Sequence, residues 1–247
     1  MQLLKIGGNE LSDPGFLETL AAIVAGIDEP VVIVHGGGRA IADMQARLGL
    51  KSVKIDGLRV TDAESLAVSQ MVLSGQANKL IVATLLSAGV QAVGLSGVDG
   101  GLLRCVKKLH PTADLGFVGQ IVDVHPSILL NLIVQGVTPV ISPISLGLEG
   151  QVYNVNADEA AGALAAALNA RVLNFISNVP AVLDQDQQPI SSLTPGQTEL
   201  LIQSGVIHGG MVPKVKAALA VIDQGVPSAR IVNLSGLQNG SGTLFSQ

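Results

Sequence analysis

The sequence predicts an α/β fold, a mainly parallel sheet with helices packed on both faces. Three observations predict it. Short apolar, β-branched runs alternate along the chain with longer segments of helical spacing. Several of those runs end in glycine clusters, as in KIGG, VVIVHGGGRAI and VGLSGVDGG. Hydrophobic residues make up 48% of 247 residues, enough to fill a large core between a sheet and two helical layers.

In chain order, residues 3–6 read as a strand that stops at Gly7-Gly8. Ser12-Asp13-Pro14 opens a helix with a cap and a first-turn proline, and residues 17–24 carry its apolar spacing. Residues 31–34 form a second strand and 39–48 a second helix. Thr61-Asp62-Ala63-Glu64 has the spacing of a capping box for a helix through Leu73, which Gly75 breaks before another helix over 77–87. Residues 90–95 form a strand, 102–124 a β-hairpin region, 126–135 a helix and 137–141 a strand. An alanine-rich helix runs from Asn156 or Ala157 to about Asn169, followed by a strand over 171–176. Thr194-Pro195-Gly196-Gln197 opens a helix to Ser204, and GGM at 209–211 precedes one through Gln224. A strand over 230–233, a glycine-rich turn and a closing edge strand, TLFS, complete the chain. No linker or repeat interrupts it, and the division into two lobes, 1–150 and 151–247, is expected near residue 150.

Composition excludes several functions. Net charge is −5 without a basic run, and aromatics are 2%, so neither the electrostatics nor the stacking platforms of nucleic-acid binding are present. Mean hydropathy is +0.51, yet no apolar stretch approaches the ~20 residues that span a bilayer, so no membrane partner is expected. The N-terminus has no signal-peptide core. A single cysteine, Cys105, allows no intrachain disulfide and fits a reducing, cytoplasmic setting, with Cys105 as a small buried apolar residue.

The chemistry concentrates at the glycine-rich strand exits. Gly36, Gly37 and Gly38 follow a strand and open a helix, whose first N–H groups lack partners and carry the positive end of the dipole. The pattern is neither GxGxxG nor GxxxxGK[ST], which argues against a dinucleotide-dependent oxidoreductase and against a P-loop. With Gly7-Gly8 and the segment 96–101, it suggests loops converging at the carboxyl ends of parallel strands around phosphate. Lys5 and Lys214 each flank a glycine pair, and Lys214 opposes the dipole of the helix it opens. Two such cations suit the charge on a transferring phosphoryl group. Asn154 and Asn156 alternate on an extended segment, Asp158 starts the next helix, and Arg59 sits in a loop, a residue type suited to a bidentate carboxylate contact.

KIGG, VHGGGRAI, DGLRVTD, VGLSGVDG, DLGFVGQI, YNVNADEAAGALA, SNVPAVLD and GGMVPKV occur in that order over about residues 3–225. Together they resemble the amino acid kinase family, and within it the branch that phosphorylates N-acetyl-L-glutamate. The resemblance implies a three-layer αβα sandwich, the carbamate-kinase-like fold, with an N-terminal lobe for the acyl substrate and dimerisation and a C-terminal lobe for ATP. It implies ATP-dependent phosphorylation of the γ-carboxylate of N-acetyl-L-glutamate, a step of arginine biosynthesis. Lys5 and Lys214 match the two catalytic lysines and Asp158 the carboxylate that orients them. Gly37, Gly38, Arg59 and Asn154 match substrate-binding positions. Gly7 and Gly8 match donors to the ATP phosphates. Asn178, Val179, Pro180, Ala181, Val182 and Leu183, with Val206, Ile207 and His208, match the nucleotide site. Mg2+ is implied as a cofactor held by phosphates and water, with no protein metal ligand.

The chain departs from the family pattern in three places. The aspartate and glycine of a family S-D-V-P-G segment are Asn178 and Ala181 here, and SNVP also occurs in the related kinases of carrier-linked α-aminoadipate. That activity, and a catalytically silent family member, are the alternatives. Residues 231–245 are expected to be too short and glycine-rich for the usual helix before the final strand, trimming the nucleotide lobe. The chain begins at its first strand, without the extra N-terminal helix of arginine-inhibited hexamers, so a homodimer without that feedback is expected.

Overall fold

The computed structural model describes residues 1–8 and 10–247. The first half contains β1 (Gln2–Ile6), α1 (Pro14–Ala25), β2 (Val31–His35), α2 (Gly38–Arg47), β3 (Lys54–Ile55) and β4 (Leu58–Arg59). It continues through α3 (Ala63–Gln70), a π-helical segment (Met71–Ala77), α4 (Asn78–Ser87), β5 (Ala92–Gly97), β6 (Leu103–Lys107), β7 (Gly119–Val124), α5 (Ser127–Val134) and β8 (Thr138–Gly147). The second half adds β9 (Val152–Asn154), α6 (Ala157–Ala167), β10 (Val172–Ile176), β11 (Ser192–Leu193), α7 (Pro195–Gln203), α8 (Met211–Asp223), β12 (Ala229–Val232), α9 (Leu234–Asn239) and β13 (Thr243–Phe245).

One sheet crosses both halves in the order β11-β13-β12-β10-β1-β2-β8-β6-β7, with β5 and β9 also paired to β8. Its centre is parallel, through β12, β10, β1, β2 and β8. Strands buried on both faces need apolar residues at successive positions, and VVIV in β2 supplies them. Leu3, Val32, Val34, Leu173 and Phe175 face α6 and α8, where Ala160, Leu164, Val215 and Ala218 meet them. Leu4, Ile6, Ile33 and Ile176 face the other way, onto Leu17, Leu20, Ile81 and Leu85 of α1 and α4. This is the predicted α/β fold with helices on both sides. Cys105 is fully buried on β6, as expected.

Several local expectations are corrected. Thr61 and Glu64 do not form a capping box. The N-cap of α3 is Asp62, whose Oδ1 accepts from Ser65 N–H at 2.8 Å, while Thr61 Oγ1 donates to the Arg59 carbonyl at 2.9 Å. Gly75 does not break the helix, because the chain passes through the π-helical segment directly into α4. Arg59 lies on β4 of a short hairpin rather than in a loop. The strand expected at 137–141 continues to Gly147. TLFS is not the edge, since β11 pairs outside β13. Residues 234–239 form α9 despite Gly236 within them and the glycine-rich stretch that follows. Asn233 caps it by accepting from Gly236 N–H at 2.8 Å, and Gly240, at φ 78°, ends it in the left-handed region.

Candidate active site

The loops after β1, β2, β10 and β12 all leave the sheet at the carboxyl ends of parallel strands. The chain moves from β1 outward to β2, and later from β10 outward the other way to β12. The crevice between β1 and β10 is therefore a topological switch point, where open α/β sheets bind ligands. A cleft of ≈ 1030 Å³ opens there, lined by Lys5, Gly7, Gly8, Asn178, Lys214 and the Asn233–Ser235 stretch among others. A second cavity of ≈ 310 Å³ adjoins it, lined by Gly36–Gly38, Arg59, Val118, Asn154 and neighbours. Lys5, Gly8, Gly38, Lys54 and Asp158 line both. Two ligands would meet at that shared wall.

The close approach of the glycine loops explains their composition. A Cβ on Gly8 would stand 2.5 Å from Gly38 N and 2.7 Å from Gly37 N, so the two backbones touch where a side chain would separate them. A Cβ on Gly37 would strike Leu73 Cδ2 at 2.6 Å. Gly37 is the N-cap of α2, whose side chain offers no cap, and the first N–H groups of this helix end at the shared wall. The third glycine-rich exit does not join them. Gly100 and Gly101 turn the chain at φ 63° and 66°, and Asp99 Oδ2 accepts from Ser96 N–H and Oγ, so this segment serves as a structural turn.

The charged residues are held from beneath. Lys5 is the next-to-last residue of β1, on the face covered by α6, and Asp158 lies in the first turn of α6, giving an ion pair of 2.7 Å. Asn156 caps that helix, accepting from Asp158 N–H at 2.7 Å. Asn154 Nδ2 donates to Thr61 Oγ1 at 3.3 Å, and both asparagines line the small cavity. Lys214 lies in the first turn of α8, and its Nζ donates to Ser177 Oγ just past β10. Burial holds the Lys214 pKa below the usual lysine value. Lys5 acts in the same direction, and Glu10 and Asp158 oppose it. Arg59 is buried. Its Nη1 donates to Gln45 Oε1 at 2.7 Å and to Ser52 Oγ, and its Nη2 to the Gly38 carbonyl at 2.7 Å. Gln45 in turn donates to Ser65 Oγ at 2.8 Å, linking α2, α3 and β4 around the guanidinium.

The structure thus brings Lys5, Lys214, Asp158, Gly7, Gly8 and Asn178 to the large cleft, and Gly37, Gly38, Arg59 and Asn154 to the small one. Val179, Pro180, Ala181, Val182, Leu183, Val206, Ile207 and His208 do not line the cleft walls. Ala181, Val182 and Ile207 are buried, and the last two join the core beneath α8. Gln45 and Ser52 are additions that no motif marked, and Ser177, the first residue of SNVPAVLD, was given no role of its own. For Ser177 a signal existed, since it is the first residue beyond a predicted parallel strand. Among the described residues, no cluster of three His, Cys, Asp or Glu side chains forms a metal site. Asp158 is committed to Lys5, and Asp13 to the cap of α1, where it accepts from Gly15 N–H at 2.9 Å. Such a donor set fits a divalent ion that arrives with phosphate oxygens and water.

Comparison with known proteins follows the same lines. The sequence profile of the amino acid kinase family matches residues 1–233. The chain is 49% identical to the acetylglutamate kinase of Chloroflexus aurantiacus, over 100% of this chain and 96% of that one. It is 48% identical to the acetylglutamate kinase of a Roseiflexus species, over 99% of this chain and 93% of that one. Among solved structures, smu.665 from Streptococcus mutans superposes with a TM-score of 0.82 at 28% identity, covering 99% of this chain and 98% of the other.

Proposed function

The chain belongs to the amino acid kinase family, and from that premise we propose that it transfers the γ-phosphoryl group of ATP to the γ-carboxylate of N-acetyl-L-glutamate. The product is an acyl phosphate, the step of arginine biosynthesis that its relatives' name denotes. One observation carries the reading at atomic scale: two cavities of nucleotide and small-acid size share a wall built from Lys5, Gly8, Gly38 and Asp158.

In this reading the large cleft takes ATP and the small cavity takes the acid. Gly7, Gly8 and the residues from Asn178 to Leu183 and Val206 to His208 serve the nucleotide, the buried members as support. Arg59 and Asn154 receive the substrate's α-carboxylate. A γ-carboxylate oxygen bonds to the γ-phosphorus as the bond from that phosphorus to the bridging oxygen breaks, and ADP leaves with the electron pair. The nucleophile is already ionised, so no general base is required. The obstacle is repulsion between two anions. Lys5 and Lys214 offset it from either side, Asp158 fixes Lys5, and backbone N–H groups of Gly37 and Gly38 add fixed dipoles. Mg2+ bound with ATP supplies further charge neutralisation, and Glu10 is the cleft carboxylate that would face its water shell. Residues 1–150 form the acyl half and 151–247 the nucleotide half, although Gly7, Gly8 and Lys5 stand between them. We place the enzyme in the cytoplasm, in keeping with one buried, unpaired cysteine. A homodimer is supported by exposed apolar residues, Val93 on β5 and Leu130 and Val134 on α5.

The test is ADP release with MgATP and each of N-acetyl-L-glutamate, free glutamate and carrier-linked α-aminoadipate, trapping the acyl phosphate as its hydroxamate. Turnover confined to N-acetyl-L-glutamate is expected. Turnover only with the carrier-linked acid would replace this substrate, and ATP binding without turnover would point to a silent member.

A further inference from the structure

The acyl cavity has one side that the nucleotide cleft does not share. Gly57 and Leu58 of the β3–β4 hairpin line it there, with Val118 from the connection 108–118 between β6 and β7. These segments lie more than fifty residues apart, yet they are tied at two levels. At the root, Thr61 N–H donates to the Leu115 carbonyl at 2.9 Å and Phe117 N–H to the Thr61 carbonyl at 2.6 Å. At the tip, His110 Nε2 stands 3.0 Å from Asp56 Oδ2.

The tip contact has a defined build. Asp56 and Gly57 both adopt positive φ, 48° and 81°, so the hairpin turns back sharply and presents the Asp56 carboxylate at its apex. The Asp56 side chain is 81% exposed and that of His110 only 12%, so the imidazole is the fixed partner and the carboxylate the arriving one. Thr112 N–H, 3.4 Å from His110 Nδ1, suits an imidazole that accepts at Nδ1 and donates from Nε2. The connection is itself anchored to α6. Lys108 pairs with Glu159 at 2.8 Å, and Ile121 N–H donates to the same carboxylate at 2.8 Å, one residue from Asp158. His110 therefore belongs to the frame of the catalytic carboxylate, and Asp56 to the hairpin that carries Arg59.

We propose that the His110–Asp56 pair is a specificity clasp. It joins the hairpin tip to the β6–β7 connection, closes the acyl cavity along the wall of Gly57, Leu58 and Val118, and restricts it to small free acyl acids. An acyl group too large to lie beneath the tie, including one attached to a carrier protein, is excluded. The inference rests on the acyl-kinase reading above for the identity of the substrate, but not for the existence of the tie.

The experiment compares the unmodified protein with His110→Ala and His110→Gln. Steady-state constants are measured for N-acetyl- and N-benzoyl-L-glutamate, and amide hydrogen exchange is followed over 53–60 and 108–117 without substrate. His110→Ala is expected to raise KM for the N-acetyl acid about five-fold, the worth of one hydrogen bond, with kcat and KM for ATP unchanged. Its preference for the benzoyl over the acetyl acid should rise by at least the same factor, and exchange should accelerate in both segments. His110→Gln, which still donates to Asp56, should stay near the unmodified protein. A selectivity ratio unchanged in His110→Ala, or exchange unaltered in both segments, overturns the clasp. If the unmodified protein turns over neither acid, the acyl-kinase reading fails instead, and the exchange data still decide whether the tie exists.

Discussion

At Lys214, burial and three neighbouring charges meet in one side chain. Burial and Lys5 weaken its hold on a proton, while Glu10 and Asp158 strengthen it. The helix it opens adds a positive end beside it. A cation placed against burial, Lys5 and the helix end is costly, and in the proposed reaction a transferring phosphoryl group brings negative charge to offset that cost. In the proposed reaction, replacing Lys214 by alanine removes a contact that strengthens in the transition state. The expected outcome is a kcat lower by about 10²-fold or more, with little change in either KM. Steady-state kinetics with MgATP and N-acetyl-L-glutamate decide it, and a variant with near-normal kcat would remove the role. Lys214 was visible in the sequence because GGMVPK puts a lysine where helices disfavour one. Ser177, which accepts from it, stood in the SNVPAVLD segment, but nothing in the sequence joined it to a lysine 37 positions away. Arg59 was legible as an arginine of the right type, but its holders Gln45 and Ser52 were not. They come from α2 and the stretch before β3, and only tertiary packing brings them to the guanidinium.

At the level of elements, the regular pieces were legible where periodicity and caps agreed, as in α1 with Asp13 and α7 with Thr194 and Gln197. Legibility failed where one end residue outweighs the composition between. Gly75 reads as a breaker, but the chain absorbs it by widening into a π-helical segment. The glycine-rich stretch between the last two strands reads as a turn, but Asn233 and Gly240 satisfy the two ends of α9, and a short helix forms between them. That helix matters, because Asn233, Leu234 and Ser235 form one wall of the large cleft. Asn233→Ala removes the cap at a cost of about 1 kcal/mol. Tm should fall by roughly 2–4 °C, and KM for ATP should rise while KM for the acid stays put. Thermal unfolding and paired KM measurements test this. Unchanged Tm and unchanged KM for ATP would mean that α9 holds without its cap.

Across the whole molecule, the glycine loop after β2 is coupled to the sheet through one buried imidazole. His35 is fully buried at the end of β2, with Nδ1 3.0 Å from the Gly36 carbonyl and Nε2 3.2 Å from the Asn78 amide. The same amide donates to Val140 O of β8 at 2.9 Å and Leu95 O of β5 at 3.3 Å. The geometry requires a neutral ring that donates from Nδ1 and accepts at Nε2. Burial, with Lys79 nearby, lowers the His35 pKa to about 4 from an ordinary 6.5. The sign follows from proton binding. Between these values the unfolded chain takes up a proton that the folded chain refuses, so stability is full above about pH 6.5 and declines as pH falls toward 4. The shift corresponds to about 3 kcal/mol across that window. His35→Asn is expected to be less stable at pH 7 yet flatter with pH, so its deficit should shrink as pH drops from 7 to 4.5. Urea unfolding of both proteins at several pH values measures that difference directly. A deficit constant across the range would place the acid sensitivity elsewhere, among carboxylates such as Glu29 and Asp62 whose pKa values are lowered by their partners. A shrinking deficit would mean that the residue leading into the glycine loop after β2 contributes to the acid sensitivity of the fold, because protonating it removes the acceptor that Asn78 uses to join β2 to β5 and β8.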